Sequence, residues 1–329
     1  MARRLLLFIA ALLILGTALV LAWPASHASQ PRTVEEPTSI ITSTTTTLLP
    51  LILRSPSPTP ETSVRFAVIG DYGMAGQGER DVAQLVQSWN PSFIITTGDN
   101  NCPDGAASTI DQNVGQYYRD FIYPYKGSYG AGATTNLFFP SLGNHDWNTA
   151  GAAPYLAYFT LPGNERYYDV TWTPVHLFAL DSDLREPDGV SSTSVQARWL
   201  QSKLATSTAC WKLVYFHHAP FSSGPHGPSE WMQWPFQVWS ADVVLSGHDH
   251  TYERVLLNGF PYLVNGLGGN GRYPFIRLIA GSQVRYNAKN GAMRVTATRT
   301  DIKYEFIAVD GTVVDTYSQT SSHCTPPAR

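Results

Sequence analysis

The chain has 329 residues, of which 43% are hydrophobic and 14% are charged. This apolar fraction excludes a wholly disordered chain, and the length suits one large domain with appendages. Lys and Arg number 22 against 25 Asp and Glu, for a net charge of −3. Such a balance provides no basic field to hold a polyanion, so we expect no nucleic-acid partner.

The N-terminal residues have the order of an export signal. Arg3 and Arg4 precede an apolar run at residues 5–23, and a small-residue stretch ends at Ala28. We expect residues 1–28 to be either a signal peptide cut after Ala28 or an uncleaved membrane anchor, since the apolar run is just long enough to cross a bilayer. Both alternatives predict a secreted or extracytoplasmic protein, which the second tethers to the membrane through residues 5–23.

A linker follows this segment. Residues 29–63 include a run of Ser and Thr at 42–47 and the sequence Ser-Pro-Ser-Pro-Thr-Pro at 55–60, which favour an extended, solvated chain. Residues 64–329 are left as the folded domain. The chain has three cysteines. For an exported protein we expect Cys210 to pair with Cys324, because Cys102 lies inside a polar motif.

From Val64 onward, apolar bursts alternate with polar loops. The pattern predicts strands at 64–69, 93–97, 138–142, 167–172, 175–180, 211–216 and 242–245, and helices at 77–89, 114–123 and 194–204. After residue 251 it predicts only strands, with turns at Asn258-Gly259 and Asp310-Gly311. These elements favour an α/β (α+β) fold in which β-sheets pack face to face with helices outside.

Five predicted strands end in polar motifs. The motifs are Gly70-Asp-Tyr-Gly73, Gly98-Asp-Asn-Asn101, Gly143-Asn-His-Asp146, His217-His-Ala-Pro220 and Gly247-His-Asp-His250. Ligands bind at the carboxyl ends of strands in open α/β sheets, so we expect these motifs to meet in one site. Six of the nine histidines lie in these loops, at 145, 217, 218, 226, 248 and 250.

Imidazole, carboxylate and amide groups together suit a pair of metal ions such as Fe, Zn or Mn. One carboxylate can bridge two ions about 3.5 Å apart, and a hydroxide held between them can attack phosphorus in line with the leaving oxygen. The motifs therefore predict two metal ions and a small phosphate-ester substrate.

The order of these motifs resembles the calcineurin-like metallophosphoesterase superfamily from Val64 to Arg254. It is most similar to the purple and tartrate-resistant acid phosphatases, on the strength of Gly70-Asp-Tyr-Gly73, His226-Gly-Pro228 and Gly247-His-Asp-His-Thr-Tyr-Glu-Arg254. The resemblance implies two stacked mixed β-sheets flanked by helices, the αββα sandwich, over the metallophosphoesterase domain at 64–329. It also implies hydrolysis of phosphate monoesters by attack of the metal-bridged hydroxide.

The resemblance assigns ligands to each ion. Asp71 and His250 would hold the first ion, which is iron in that family, and Asp99 would bridge the two. The ligands of the second ion would be Asn144, His218 and His248.

The same resemblance places His145 and His226 beside the substrate phosphate. They would act as hydrogen-bond donors or as the acid that protonates the leaving group. His217 is expected to pack beside the ligands rather than bind an ion.

One position departs from the family. Purple acid phosphatases carry a Tyr ligand three residues after the bridging Asp, and this chain has Cys102 there. Gly73 occupies the position of the histidine found in the wider superfamily. Either Cys102 supplies a thiolate or water completes the shell, so Zn or Mn suits the site as well as Fe. The purple phenolate-to-iron colour is expected to be absent.

Two alternatives stay open from sequence. A phosphodiesterase or nucleotidase would need much the same metal site. An exported binding protein would have kept the fold and lost turnover, an interpretation that the change at Cys102 motivates. The sequence does not specify the physiological substrate or the oligomeric state.

Overall fold

The structure is a computed structural model that describes residues 63–324. The expected signal or anchor at 1–28 and the linker, apart from its last residue, lie outside the described residues. Within residues 63–324, none of the helices combines the length and the apolar character that crossing a membrane requires.

The predicted strands, and the predicted helices at 77–89 and 194–204, recur with small shifts at their ends. The strands are β1 (Val64–Ile69), β2 (Ile94–Thr96), β3 (Phe138–Pro140), β4 (Tyr168–Trp172), β5 (Val175–Ala179), β6 (Trp211–His218), β7 (Val243–Gly247), β8 (Tyr252–Leu257), β9 (Phe260–Asn265), β10 (Ser282–Tyr286), β11 (Gly291–Ala297), β12 (Asp301–Ala308) and β13 (Val313–Thr320). The α-helices are α1 (Gln77–Ser88), α2 (Gln116–Tyr118), α3 (Ala153–Tyr158) and α4 (Val195–Thr206).

The strands form two mixed sheets. The first sheet has the order β13-β12-β11-β1-β2-β3, in which β1, β2 and β3 run parallel and the other neighbours are antiparallel. The second has the order β10-β8-β9-β7-β6-β5-β4, with β5, β6, β7 and β9 parallel. The predicted fold of two mixed sheets with flanking helices is confirmed.

Strand β6 shows how the sheets pack. Leu213 and Tyr215 belong to an apolar cluster that also contains residues of β1 and β2 in the other sheet. Val214 and Phe216 point the opposite way, into a second cluster that includes Leu200 of α4. Side chains alternate between the two faces of a strand, so a strand buried on both faces reads as one continuous apolar run.

The predicted helix at 114–123 is broken into short pieces. A π-helical turn covers Asp111–Gly115, α2 adds a single turn, and a 3-10 turn covers Arg119–Phe121. The Asp111 carboxylate accepts hydrogen bonds from Tyr125 Oη at 2.6 Å and Tyr158 Oη at 2.9 Å. Gly115 is a poor helix former, and these bonds favour a local path that departs from a regular α-helix.

Cys210 and Cys324 form a disulfide with a Cα–Cα distance of 5.2 Å, which confirms the expected pairing. Cys210 directly precedes β6, so the bond fastens the end of the described chain to the start of a central strand. It closes a loop across a sequence separation of 114 residues. Long loops lose much conformational entropy in the unfolded state when they are cross-linked.

We predict that Cys324→Ser lowers the free energy of unfolding by about 5 kcal/mol, the value expected for a loop of about 100 residues. Urea denaturation followed by circular dichroism measures this change. The Cys210→Ser, Cys324→Ser double variant should match the single variant, because both lack the same bond. Equal stability of wild type and Cys324→Ser would contradict the prediction.

Candidate metal centre

The polar motifs of the two packed sheets meet at the carboxyl ends of their parallel strands. Loops after β1, β2 and β3 of the first sheet carry Asp71, Asp99 and Asn144. The end of β6 and the loop after β7, both in the second sheet, carry the imidazoles of His217, His218, His248 and His250. The loops of the first sheet thus carry the candidate oxygen ligands, and the second sheet carries the candidate imidazole ligands.

Three of the predicted ligands adopt left-handed backbone conformations. The φ angles are 55° at Asp71, 56° at Asp99 and 71° at His248. Such conformations cost about 1–3 kcal/mol each and persist where surrounding contacts fix them. Here Asp71 N–H donates to Gly98 O at 3.1 Å, and His248 N–H donates to Asp71 Oδ2 at 3.0 Å.

Glycines allow the loops to approach one another this closely. Gly98 has a φ of 90°, and a Cβ at this position would lie 2.7 Å from His217 Nδ1. A Cβ on Gly143 would lie 2.2 Å from the backbone nitrogen of Asp99. Gly98 is therefore required by space and by backbone angle, and Gly143 is required by space.

Asp99 lies at the centre of the cluster and is 2% exposed. Its Oδ2 is 3.3 Å from His217 Nε2 and 3.8 Å from His145 Nε2. Two groups of candidate ligands, each with its ligand atoms within 4.8 Å of one another, share this carboxylate; they are Asp71, Asp99 and His217, and Asp99, Cys102 and His145. A shared carboxylate is the arrangement that a bridging ligand requires.

The groups around His217 Nε2 show whether a cation fits beside Asp99. Its Nδ1 lies 2.9 Å from Thr97 O, which can only accept, so Nδ1 carries the hydrogen and a neutral ring presents a lone pair at Nε2. That lone pair faces Asn144 Oδ1 at 2.9 Å and His248 Nδ1 at 3.1 Å, besides Asp99. Electron-rich atoms that converge on one point fit a metal ion.

His218, the expected ligand, lies beside this group. Its Nδ1 is 2.9 Å from Ser182 Oγ, and its ring centroid lies 4.5 Å from that of His248 and 5.6 Å from that of Trp231. The structure thus brings His217 into contact with Asp99 and Asn144, the position that the sequence analysis gives to His218.

His250 faces Asp71, its expected partner at the first ion. The His250 Nε2 lies 3.4 Å from Asp71 Oδ1, while Nδ1 lies 2.5 Å from the carbonyl oxygen of Gly271. Because that oxygen accepts a hydrogen from Nδ1, the Nε2 lone pair is directed at the same place as the Asp71 carboxylate.

The two predicted substrate-facing histidines lie at the rim. His145 Nδ1 is 2.6 Å from Pro103 O, and its side chain is 34% exposed. His226 is exposed, and its ring stacks on His248 with centroids 4.0 Å apart. Both rings are therefore open to solvent and adjacent to the expected ligands.

The pKa shifts follow from the buried charges. Burial raises the pKa of Asp99, but His217 and His145 outweigh it and hold the pKa well below its usual range. Burial lowers the pKa of His217, yet Asp99 and Asp71 raise it to about 10. Burial and the charge of His217 lower the pKa of His248. Asp99 and Asp71 thus attract positive charge to His217, and a cation bound there would displace the proton from His217 Nε2. His248 is neutral, as a metal ligand must be.

Asn100 connects three of the motifs, although the sequence patterns do not single it out. Asn100 Oδ1 accepts from Tyr72 Oη at 2.9 Å and Thr96 Oγ1 at 2.6 Å. Its Nδ2 donates to Asp146 Oδ2 at 2.8 Å. The position of Asn100 beside Asp99 inside a motif is the signal that points to it.

Two acidic residues of the Gly247–Arg254 motif hold the loop that carries His226. The Asp249 carboxylate accepts from His226 N–H at 3.0 Å. Glu253 accepts from Ser223 N–H at 2.7 Å and from Ser223 Oγ at 2.6 Å. Both carboxylates are fully buried, so the rim loop is fixed from below.

Arg185 and Tyr273 also border the site and belong to no motif. The Arg185 guanidinium donates to Asn144 O at 2.9 Å and to both carboxylate oxygens of Asp183. The Tyr273 ring stacks on His250 with centroids 4.1 Å apart. No sequence pattern identifies either residue, because each lies in an irregular loop.

Several known proteins are similar to this chain in sequence. The family model for calcineurin-like phosphoesterases matches residues 64–252. Purple acid phosphatase 4 of Arabidopsis thaliana is 24% identical over 297 residues, covering 78% of this chain and 83% of its own. Tartrate-resistant acid phosphatase type 5 of Mus musculus is 24% identical over 259 residues, covering 67% and 76% respectively.

Solved structures show the same fold. Purple acid phosphatase PPD1 from yellow lupin seeds superposes with a TM-score of 0.64 at 18% identity, covering 84% of this chain and 58% of its own. GAP50, described as the anchor in the inner membrane complex of Plasmodium, gives a TM-score of 0.63 at 18% identity, covering 79% and 89%.

The family model spans more than half of the chain, which therefore belongs to the calcineurin-like phosphoesterase family. It is a metal-dependent phosphoric ester hydrolase, and its expected similarity to the purple and tartrate-resistant acid phosphatases is confirmed.

We predict that Gly98→Ala lowers the free energy of unfolding by at least about 2 kcal/mol and reduces bound metal, because the new Cβ collides with His217. Gly259→Ala is the matched control, since Gly259 also has a positive φ, of 80°, but has no atom within 4 Å of the added Cβ. It should cost only about 1 kcal/mol and keep its metal. Urea denaturation and elemental analysis measure both effects. Equal losses in the two variants would contradict the steric argument.

Proposed function

We propose that this chain is an exported dinuclear-metal phosphatase of the acid-phosphatase type that hydrolyses phosphate monoesters. The observation that carries the proposal is the buried carboxylate of Asp99, shared by two groups of candidate ligands. Its similarity to purple and tartrate-resistant acid phosphatases supports the same assignment.

We assign Asp71 and His250 to the first ion and Asp99 to the bridge. The ligands assigned to the second ion are Asn144, His217 and His248. We assign to His217 the role expected of His218, because its Nε2 is the atom that faces Asp99 and Asn144. His218, held by Ser182, would support the ring of His248 instead.

The two ions, when bound, lower the pKa of a water nucleophile and neutralise charge on the phosphoryl oxygens. The chain's own residues then orient the ester. The Pro103 carbonyl accepts from His145 Nδ1, which directs Nε2 toward the centre. There a protonated His145 can donate a hydrogen bond from Nε2 to a phosphoryl oxygen, and His226 can protonate the leaving oxygen.

The disulfide between Cys210 and Cys324 supports export, because such bonds persist in oxidising compartments. The export signal or anchor at 1–28 and the linker at 29–63 belong to this part of the proposal. A mature N-terminus directly after Ala28, determined on protein from the native host, would identify a cleaved signal peptide; an intact N-terminus would identify an anchor through residues 5–23.

We predict that purified protein releases phosphate from p-nitrophenyl phosphate and loses this activity with a chelator. Asp99→Asn should lower kcat/KM by at least about 100-fold, because a neutral amide cannot bridge two cations. Its metal content should fall below two ions per chain. His176→Ala is a control, because His176 lies on β5, outside the site, where its ring contacts Asp169 and Ser207. Full activity and two ions in Asp99→Asn would refute the proposal.

The neighbouring histidines give a sharper test of the ligand assignment. His217→Ala should lose one ion and lower kcat/KM by at least about 100-fold, whereas His218→Ala should keep both ions and lose less than about 10-fold. Elemental analysis and steady-state kinetics measure these effects. A larger loss of metal and of kcat/KM in His218→Ala than in His217→Ala would identify His218 as the ligand instead.

Comparing p-nitrophenyl phosphate with bis(p-nitrophenyl) phosphate ranks the monoester against the diester. We expect the monoester to be turned over faster. A faster diester would favour the phosphodiesterase alternative. Two bound ions with no turnover of either ester would favour a binding protein, a role compatible with the fold that GAP50 shares.

A further inference from the structure

Cys102 occupies a buried place at the metal centre. It is 5% exposed, and its Sγ lies in one of the two ligand groups, with Asp99 and His145. Its N–H donates to Gly73 O at 2.6 Å, which joins the loop after β2 to the loop after β1. The thiol is thus held on a loop that is itself fixed to the first motif, next to Asp71.

Asn270 reaches the same place from a distant part of the chain. This residue follows β9 and is 8% exposed, and its N–H donates to Asp71 O at 3.3 Å. The side-chain Nδ2 lies 3.6 Å from Cys102 Sγ. The Oδ1 of the same amide is buried and has no hydrogen-bond partner among the residues that the structure describes. Buried amide oxygens are rarely left unpaired in proteins, so this one points to a missing ligand.

The Cys102 thiol has no cysteine left with which to form a disulfide. The chain has three cysteines, and the other two are joined to each other. A structural role as an apolar filler also fits poorly, because the neighbours of Cys102 are carboxylates, an imidazole and an amide. A sulfur that faces oxygen and nitrogen ligands of one centre is placed as a further ligand.

We propose that Cys102 binds the first ion as a thiolate, in the position where the related phosphatases have tyrosine, and that Asn270 donates an N–H···S bond to it. This inference rests on the dinuclear centre proposed above. On binding, the sulfur–metal bond forms and the thiol proton leaves to solvent. Because thiolate is a softer ligand than phenolate, the first site prefers a divalent ion of the zinc class.

Cobalt(II) tests the proposal as a visible substitute for zinc. Protein stripped of metal and reloaded with Co²⁺ should show a near-ultraviolet thiolate-to-cobalt band, which Cys102 alone can produce because the other cysteines form the disulfide. Cys102→Ser should lack the band and bind the first Co²⁺ at least about 10-fold more weakly. Asn270→Ala should keep the band, shift its position and weaken binding by about 10-fold.

A second variant guards against misfolding. Cys102→Tyr restores the residue of the related phosphatases, and with Fe³⁺ it should gain a purple phenolate band that wild type lacks. Circular dichroism checks that each variant is folded.

Two bound Co²⁺ ions without a thiolate band, or an unchanged spectrum in Cys102→Ser, would overturn the thiolate assignment and leave the dinuclear centre standing. Failure of the wild-type protein to bind Co²⁺ or Zn²⁺ at all would overturn both proposals.

Discussion

The buried charge of Asp99 is the constraint on which the centre depends. A carboxylate that is 2% exposed must be matched by positive charge, since desolvation alone favours its neutral form. Ring nitrogens of His217 and His145 face this carboxylate, and a bound cation would supply the matching positive charge. The strained backbones at Asp71, Asp99 and His248 and the crowded glycines are all explained by the need to bring these groups within a few ångströms.

Much of this could be predicted from sequence because the determining signals are local. Strand β1 has the bounds that its apolar run predicts, and the motif loops follow strands that run parallel in each sheet. Parallel neighbours place their carboxyl ends on one edge of a sheet. We therefore expect six polar residues to meet there although they are far apart in sequence, namely Asp71, Asp99, Asn144, His218, His248 and His250. The prediction of a regular helix at 114–123 is wrong because the Asp111 carboxylate is held by Tyr125 and Tyr158, and these contacts redirect the chain. Both tyrosines lie beyond the predicted helix, so its own residues do not reveal the contacts.

The orientations of His217 and His218 show where sequence reasoning stops. His217 faces Thr97 and Asp99, and the pairing of β6 with β7 shifts register between Tyr215 and His218, so simple alternation does not extend to these two residues. Strand β6 is apolar and buried on both faces, and the pattern alone does not tell which face points inward. Asn270, Arg185 and Tyr273 are harder still, because irregular loops place them and no periodicity marks them.

The division of ligands between the two sheets links metal loading to the integrity of the fold. The candidate oxygen ligands belong to one sheet and the candidate imidazole ligands to the other, so each bound cation would connect the two sheets. Any ion that binds only the native arrangement stabilises it by mass action, in proportion to the logarithm of its free concentration. Metal supply in the surroundings would thereby govern the lifetime of the folded enzyme as well as its turnover.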